Sequence, residues 1–100
     1  MLIVAGTLNI DPEHRPAMLE AVRPMVTATR AEAGCREYVF SADPDDPSVV
    51  RLFELWDDEE ALSAHLDSAH MAQWQSRAAS LPIQSRDIAK YTISEIGPLR

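Results

Sequence analysis

Apolar residues fall on both faces of the stretch Leu2–Ile10, which reads as a β-strand. By strand alternation Leu2, Val4 and Leu8 share one face, and Ile3 and Ala5 share the other, which ends in Thr7 and Asn9. Val49–Trp56 repeats the pattern, with Leu52 and Trp56 opposed to Phe53 and Leu55. A strand that is apolar on both faces has to be covered on both. A chain of 100 residues, 46% of them apolar, forms one globular domain with one core. Helices can cover one face of its sheet, and the other face then calls for a partner.

The remaining periodicity supplies those helices. Asp11-Pro12-Glu13 is a helix start: a capping Asp, a Pro at the first helical position and a carboxylate at the positive helix end. The spacing of Leu19, Val22, Val26 and Thr29, widened by Met18 and Met25, predicts a helix over 12–33, kinked at Pro24 and stopped by Gly34. Cys35–Ser41 reads as a second strand, with Tyr38 and Phe40 on one face. Asp43-Pro44-Asp45-Asp46-Pro47 is a turn, and Val49–Trp56 a third strand, in an antiparallel hairpin with the second. The four carboxylates Asp57–Glu60 open another helix through Ala61, Leu62, His65 and Leu66; their place at its positive end accounts for them without a cation. Ser68 caps a further short helix through Met71, Trp74 and Ala78, ended by Pro82, and Ile88–Ile96 is the last strand. The order strand, helix, strand, strand, helix, strand is the split βαβ, ferredoxin-like α+β sandwich, a single domain over 1–100. Both helical layers lie on one sheet face, so the open face is expected to pair with a second copy in a two-fold homodimer.

Charge and composition narrow the partners. The formal net charge is −7, and the nine basic residues are scattered, Arg77, Arg86 and Lys90 being the nearest to a cluster. No nucleic-acid or anionic membrane binding is expected from such a surface. The single cysteine, Cys35, cannot form an internal disulfide and suits a reducing compartment. Met1–Gly6 lacks the basic region and length of a secretory leader, and no window approaches the ~18 apolar residues of a membrane span. A cytoplasmic protein is the expectation. Three glycines leave no phosphate-binding loop. No metal site is expected either: His65 and His70 lie about 140° apart on a continuous helix, although a break near Ser68 would relax that separation.

The polar groups that interrupt the apolar pattern are the candidates for chemistry. His65, whose ordinary pKa lies near ~6.5, is the candidate base. Tyr38 offers a hydroxyl, and Thr7 and Asn9 offer further donors from the first strand to the same substrate oxygen. Trp56 and Trp74 provide flat aromatic walls, with Met71 beside Trp74. Glu54 shares a strand face with Trp56, and a carboxylate there needs a partner or a raised pKa. His70 suits a structural bond or a place at the pocket edge, and Cys35 suits packing. Each of these groups also has an ordinary reading as a satisfied core or capping residue.

The ordered set Glu32-Ala33-Gly34-Cys35-x-x-Tyr38, Phe53-Glu54-x-Trp56 and Ala61-x-x-x-His65-x-x-Ser68-x-His70, after an aliphatic first strand, resembles the antibiotic biosynthesis monooxygenase (ABM) domain over nearly the whole chain. The resemblance implies a dimeric α/β barrel. It also implies a cofactor-free monooxygenase that uses O2 on a small aromatic molecule, a quinol or polycyclic phenol. Such chemistry needs a base to form an electron-rich anion, donors to hold it and a dry apolar pocket. Alternatives on the same fold are a non-catalytic small-molecule-binding protein and a proton-transfer isomerase. A related haem-degrading branch uses an Asn, a Trp and a His at positions where this chain has Thr7, His65 and the neighbourhood of Gln75, so that set is not present.

Overall fold

The computed structural model describes residues 1–100. Four strands, β1 (Leu2–Ile10), β2 (Cys35–Ala42), β3 (Val49–Trp56) and β4 (Ile83–Thr92), form one antiparallel sheet in the order β2-β3-β1-β4. Helices α1 (Arg15–Ala21), α2 (Arg23–Arg30), α3 (Glu59–Leu66) and α4 (Ala69–Ala78) pack on one face of it. This is the ferredoxin-like α+β architecture expected from the element order.

Strand pairing assigns every side chain to a face. Leu2 stands opposite Trp56 and Val4 opposite Glu54 across β1 and β3, while Tyr38 faces Glu54 and Phe40 faces Leu52 across β2 and β3. The helix-covered face thus carries Leu2, Leu8, Ile10, Tyr38, Val50, Leu52 and Trp56. They pack with Met18, Val22 and Met25 of the first helical pair, and with Leu62, Trp74 and Ala78 of the second. The other face carries Ile3, Ala5, Val39, Phe53, Leu55 and Tyr91, and Phe53 and Tyr91 remain 36% and 53% exposed.

Three expected boundaries differ. The helix over 12–33 is a 3₁₀ turn (Pro12–His14) followed by α1 and α2, separated at Val22 and ending at Arg30. Pro24 has no N–H to donate to Glu20, so two short helices form where the apolar spacing alone suggests one. The chain then turns through Gly34, at φ +81° with no room for a Cβ against Ala61, into β2. The last strand starts at Ile83 instead of Ile88 and ends at Thr92 instead of Ile96. Its limits follow its partner, since Ile83 pairs with Ile10 and Thr92 with Leu2. The polar run Gln84–Asp87 is tolerated because β4 is an edge strand that the helices leave uncovered. The other helix starts are as the sequence indicates: Asp58 accepts from Ala61 N at 2.8 Å, and Ser68 from Met71 N at 3.2 Å.

Gly6, in the middle of β1, is a backbone requirement: a Cβ built there meets the Asp87 carbonyl oxygen at 2.0 Å and the Ile88 Cα at 2.7 Å. Gly6→Ala is expected to cost roughly 3 kcal/mol or more, because β4 has to move off β1. The denaturation midpoint measures it, and an unchanged midpoint contradicts the close approach.

Candidate active site

Between the sheet and α3–α4 lies a cleft of about 710 Å³. Its floor is Val4, Leu8, Tyr38, Leu52 and Glu54. Its roof is Leu62, His65, Met71 and Trp74, and its mouth opens over Arg86, Ile88 and Lys90 of the uncovered edge strand. Across the mouth Lys90 Nζ meets Glu59 Oε1 at 2.7 Å. Phe40 and Trp74 meet edge to face, 6.2 Å apart, and extend the aromatic lining.

His65 is 1% exposed and held from both sides. Its Nδ1 lies 2.9 Å from Glu32 Oε2, and its Nε2 lies 3.3 Å from the Tyr38 hydroxyl. An ionised carboxylate only accepts, so Nδ1 carries the proton toward Glu32, and Nε2 accepts from Tyr38. Trp56 packs against the imidazole with ring centres 4.9 Å apart. Burial, reinforced by His70 and opposed by Glu32, holds the His65 pKa below its ordinary value, so the ring is neutral at pH 7. Burial above all, then the Glu54 charge, raises the Tyr38 phenol well above its ordinary value, so it remains a neutral hydroxyl. Glu54, deep in the cleft and bonded by Trp56 Nε1 at 2.9 Å, is pushed up to about 7 by burial, with the Trp56 bond opposing. Burial likewise raises the Cys35 thiol, which leaves it protonated.

Of the candidates in the sequence, Tyr38, Glu54, His65 and Trp74 meet in the cleft. Trp56 is fully buried behind it and grips Glu54, where an aromatic wall was expected. Thr7 and Asn9 do not join Tyr38. Thr7 pairs with Arg51 and Asn9 with Val49 on the opposite sheet face, so the expected convergence of donors from the first strand does not occur. His70 lies outside the cleft, its Nε2 3.1 Å from Glu32 Oε1 without hydrogen-bond alignment. The helix breaks between Leu66 and Ala69, so His65 and His70 both reach Glu32, unlike on the continuous helix that separates them. Glu32, the partner of His65, is not among the candidates the sequence offers: it sits in the turn after α2, 33 residues from His65, and only packing brings the two together. Arg86 and Lys90, which form at most a loose cluster in the sequence, meet at the mouth.

The fold and cleft define a ferredoxin-like domain with a buried histidine in the roof of an aromatic pocket. The chain belongs to the antibiotic biosynthesis monooxygenase family, whose model matches residues 1–77. It is similar to Rv0793 of Mycobacterium tuberculosis, 34% identical over 70 residues that are 70% of this chain and 68% of that protein. The solved Rv0793 structure superposes with a TM-score of 0.85 over 97% of this chain and 98% of that one. A Deinococcus radiodurans protein described within the same monooxygenase family gives a TM-score of 0.90 at 28% identity, covering 100% of this chain and 99% of its own. The uncharacterised Synechocystis protein sll1783 is 23% identical over 94 residues, 94% of this chain, which spans only 64% of that protein's length. No helix is long and apolar enough to cross a membrane.

The Glu54 shift sets a pH dependence of stability. Its folded pKa of about 7 exceeds the ordinary 4.5, so between these values the folded state holds a proton that the unfolded state has released. The Glu54 contribution to stability therefore falls as pH rises through this window, by up to about 3 kcal/mol. Glu54→Gln, which keeps an acceptor for Trp56, is expected to match wild type at pH 4 and exceed it at pH 8. Urea unfolding at the two pH values measures this, and a pH-independent difference contradicts the shift.

Proposed function

We propose that the protein is a cofactor-independent monooxygenase that oxidises a quinol-like or polycyclic phenolic substrate with O2. The observation that supports this is the chain Glu32–His65–Tyr38, which ends at the floor of an aromatic cleft. A neutral imidazole whose outer nitrogen is bonded to a carboxylate is an oriented base, and the cation it forms is stabilised by that carboxylate. The substrate hydroxyl or activated CH passes its proton to His65 Nε2, through the Tyr38 hydroxyl where that group lies between. The resulting anion is electron-rich and gives one electron to O2; recombination forms a carbon-bound peroxide, and His65 returns the proton to its outer oxygen. Loss of water from a CH–OOH centre leaves a carbonyl, so an anthrone-type CH2 and O2 become C=O and H2O with all electrons drawn from the substrate. The apolar walls keep bulk water from the anion, and Arg86 and Lys90 at the mouth suit an anionic phenolate. Cytoplasmic residence belongs to the same reading and fits the single unpaired cysteine.

The reading includes a homodimer packed through the open sheet face. Ile3, Ala5, Val39, Phe53, Leu55 and Tyr91 make that face apolar, and a second copy laid sheet to sheet would cover it. A second chemistry is favoured by one observation. Glu54, with its carboxyl poised at about 7 in the same cleft, could move a proton on a keto–enol substrate with no oxidant, making the protein a proton-transfer isomerase. The remaining alternative, a non-catalytic binding protein, needs none of these polar groups.

Oxygen uptake with reduced quinols and anthrones tests the main reading. His65→Ala is expected to slow it roughly 100-fold or more, and Glu32→Gln roughly 10-fold, through kcat rather than KM. Uptake that is absent in wild type, or equal in wild type and His65→Ala, contradicts it; turnover without O2 identifies the isomerase. For the assembly, Phe53→Arg is expected to convert a dimer into a monomer by light scattering. A wild-type monomer contradicts that part.

A further inference from the structure

We propose that Glu32, His65 and His70 form a binding site for a divalent transition-metal ion, of the two-histidine, one-carboxylate type. The three donors come from three segments: the turn after α2, the helix α3 and the first turn of α4. Their ligand atoms lie within 4.8 Å of one another, with Glu32 oxygens 2.9 Å from His65 Nδ1 and 3.1 Å from His70 Nε2. Tetrahedral donors around zinc, each about 2.1 Å from the ion, stand about 3.4 Å apart. Small side-chain rotations reach that spacing.

Three further features fit an ion there. His70 Nε2 is shielded from solvent, and its one polar neighbour, Glu32 Oε1 at 3.1 Å, is not aligned for a hydrogen bond, which leaves the nitrogen lone pair or proton unsatisfied. The Tyr38 oxygen is already within 3.3 Å of the other nitrogen of His65, the position of the outer partner that fixes a ligating imidazole. The side chains of Glu32 and His70 are 19% and 24% exposed, so the cluster lies close enough to the surface for an ion to enter. One carboxylate and two neutral imidazoles favour cobalt, nickel, copper and zinc over magnesium or calcium.

Metal on Nδ1 moves the His65 proton to Nε2, which then donates to the Tyr38 oxygen. In that state Nε2 cannot accept a proton from a substrate. A bound ion would therefore oppose the base role given above; this corollary rests on that reading, whereas binding itself does not.

Titration of the whole purified protein with cobalt(II), read by visible absorption, and with zinc(II), read by calorimetry, tests the site without turnover. One saturable equivalent is expected, with intensified cobalt bands of low-coordinate geometry. His70→Ala is expected to weaken binding by roughly 100-fold and Tyr38→Phe by roughly 10-fold. His70→Gln, closer in size, serves the same purpose if the alanine variant does not fold. His14→Ala, at the exposed Asp11–His14 pair, is expected to leave binding unchanged. No saturable binding to wild type, equal binding to the His70 variants, or loss of binding in His14→Ala would overturn the proposal.

Discussion

Strand β1 runs down the middle of the sheet, hydrogen-bonded on both sides in antiparallel register, and the rest of the molecule follows from that double pairing. Each residue of β1 fixes the face of its neighbours in β3 and β4, and β3 passes the assignment on to β2. A slip of one residue would exchange the two faces. It would carry Tyr38 and Glu54 away from the helices and bring Phe53 and Tyr91 under them. The close approach at Gly6 holds β4 to this register where no helix lies over it.

The same register puts polar groups where an apolar core would be cheaper. Glu54, His65 and Thr29 are buried with the core, and Tyr38 brings its hydroxyl among them. Each has a partner: Glu54 has the Trp56 indole, His65 has Glu32 and Tyr38, and Thr29 has the Met25 sulfur. Paired groups of this kind contribute little net stability, because desolvation cancels most of what the bonds return. Tyr38, Glu54 and His65 line one cleft, and the ionisation of each is shifted away from its ordinary value, a combination that marks a candidate site for chemistry. The helix-side face of the edge strand β4, mostly polar, is left uncovered, and its Arg86, Ile88 and Lys90 frame the mouth.

Much of the fold was legible in the sequence because its signals are local. Alternation identified the strands, the carboxylate run Asp57–Glu60 and Ser68 marked helix starts, and Pro24 marked an interruption in the first helical run. The element order then led to the ferredoxin-like class. What was not legible depended on partners. The limits of β4 belong to its pairing with β1, and the polar run Gln84–Asp87 looks like a loop until the strand is known to lie at an edge. Trp56 looks like a pocket wall until the Glu54 carboxyl is seen to hold its indole. His65 could be singled out by residue type, but the group that orients it could not, since a Glu in a turn carries no periodic signal.

The chain by itself determined which segments are strands and helices and that both sheet faces are apolar, since periods of two and of about 3.6 residues are written in neighbouring positions. Tertiary structure decided which faces coincide. Thr7 and Asn9 share a face with Ile3 in any strand, but only the register across β1, β3 and β2 places that face opposite the one carrying Tyr38. It also brought Glu32 to His65 across 33 residues of sequence and let His70 reach the same carboxylate past the helix break. The reason is physical: alternation is a property of one strand, whereas a meeting of side chains from separate segments depends on how loops and helices pack, to which no local spacing corresponds.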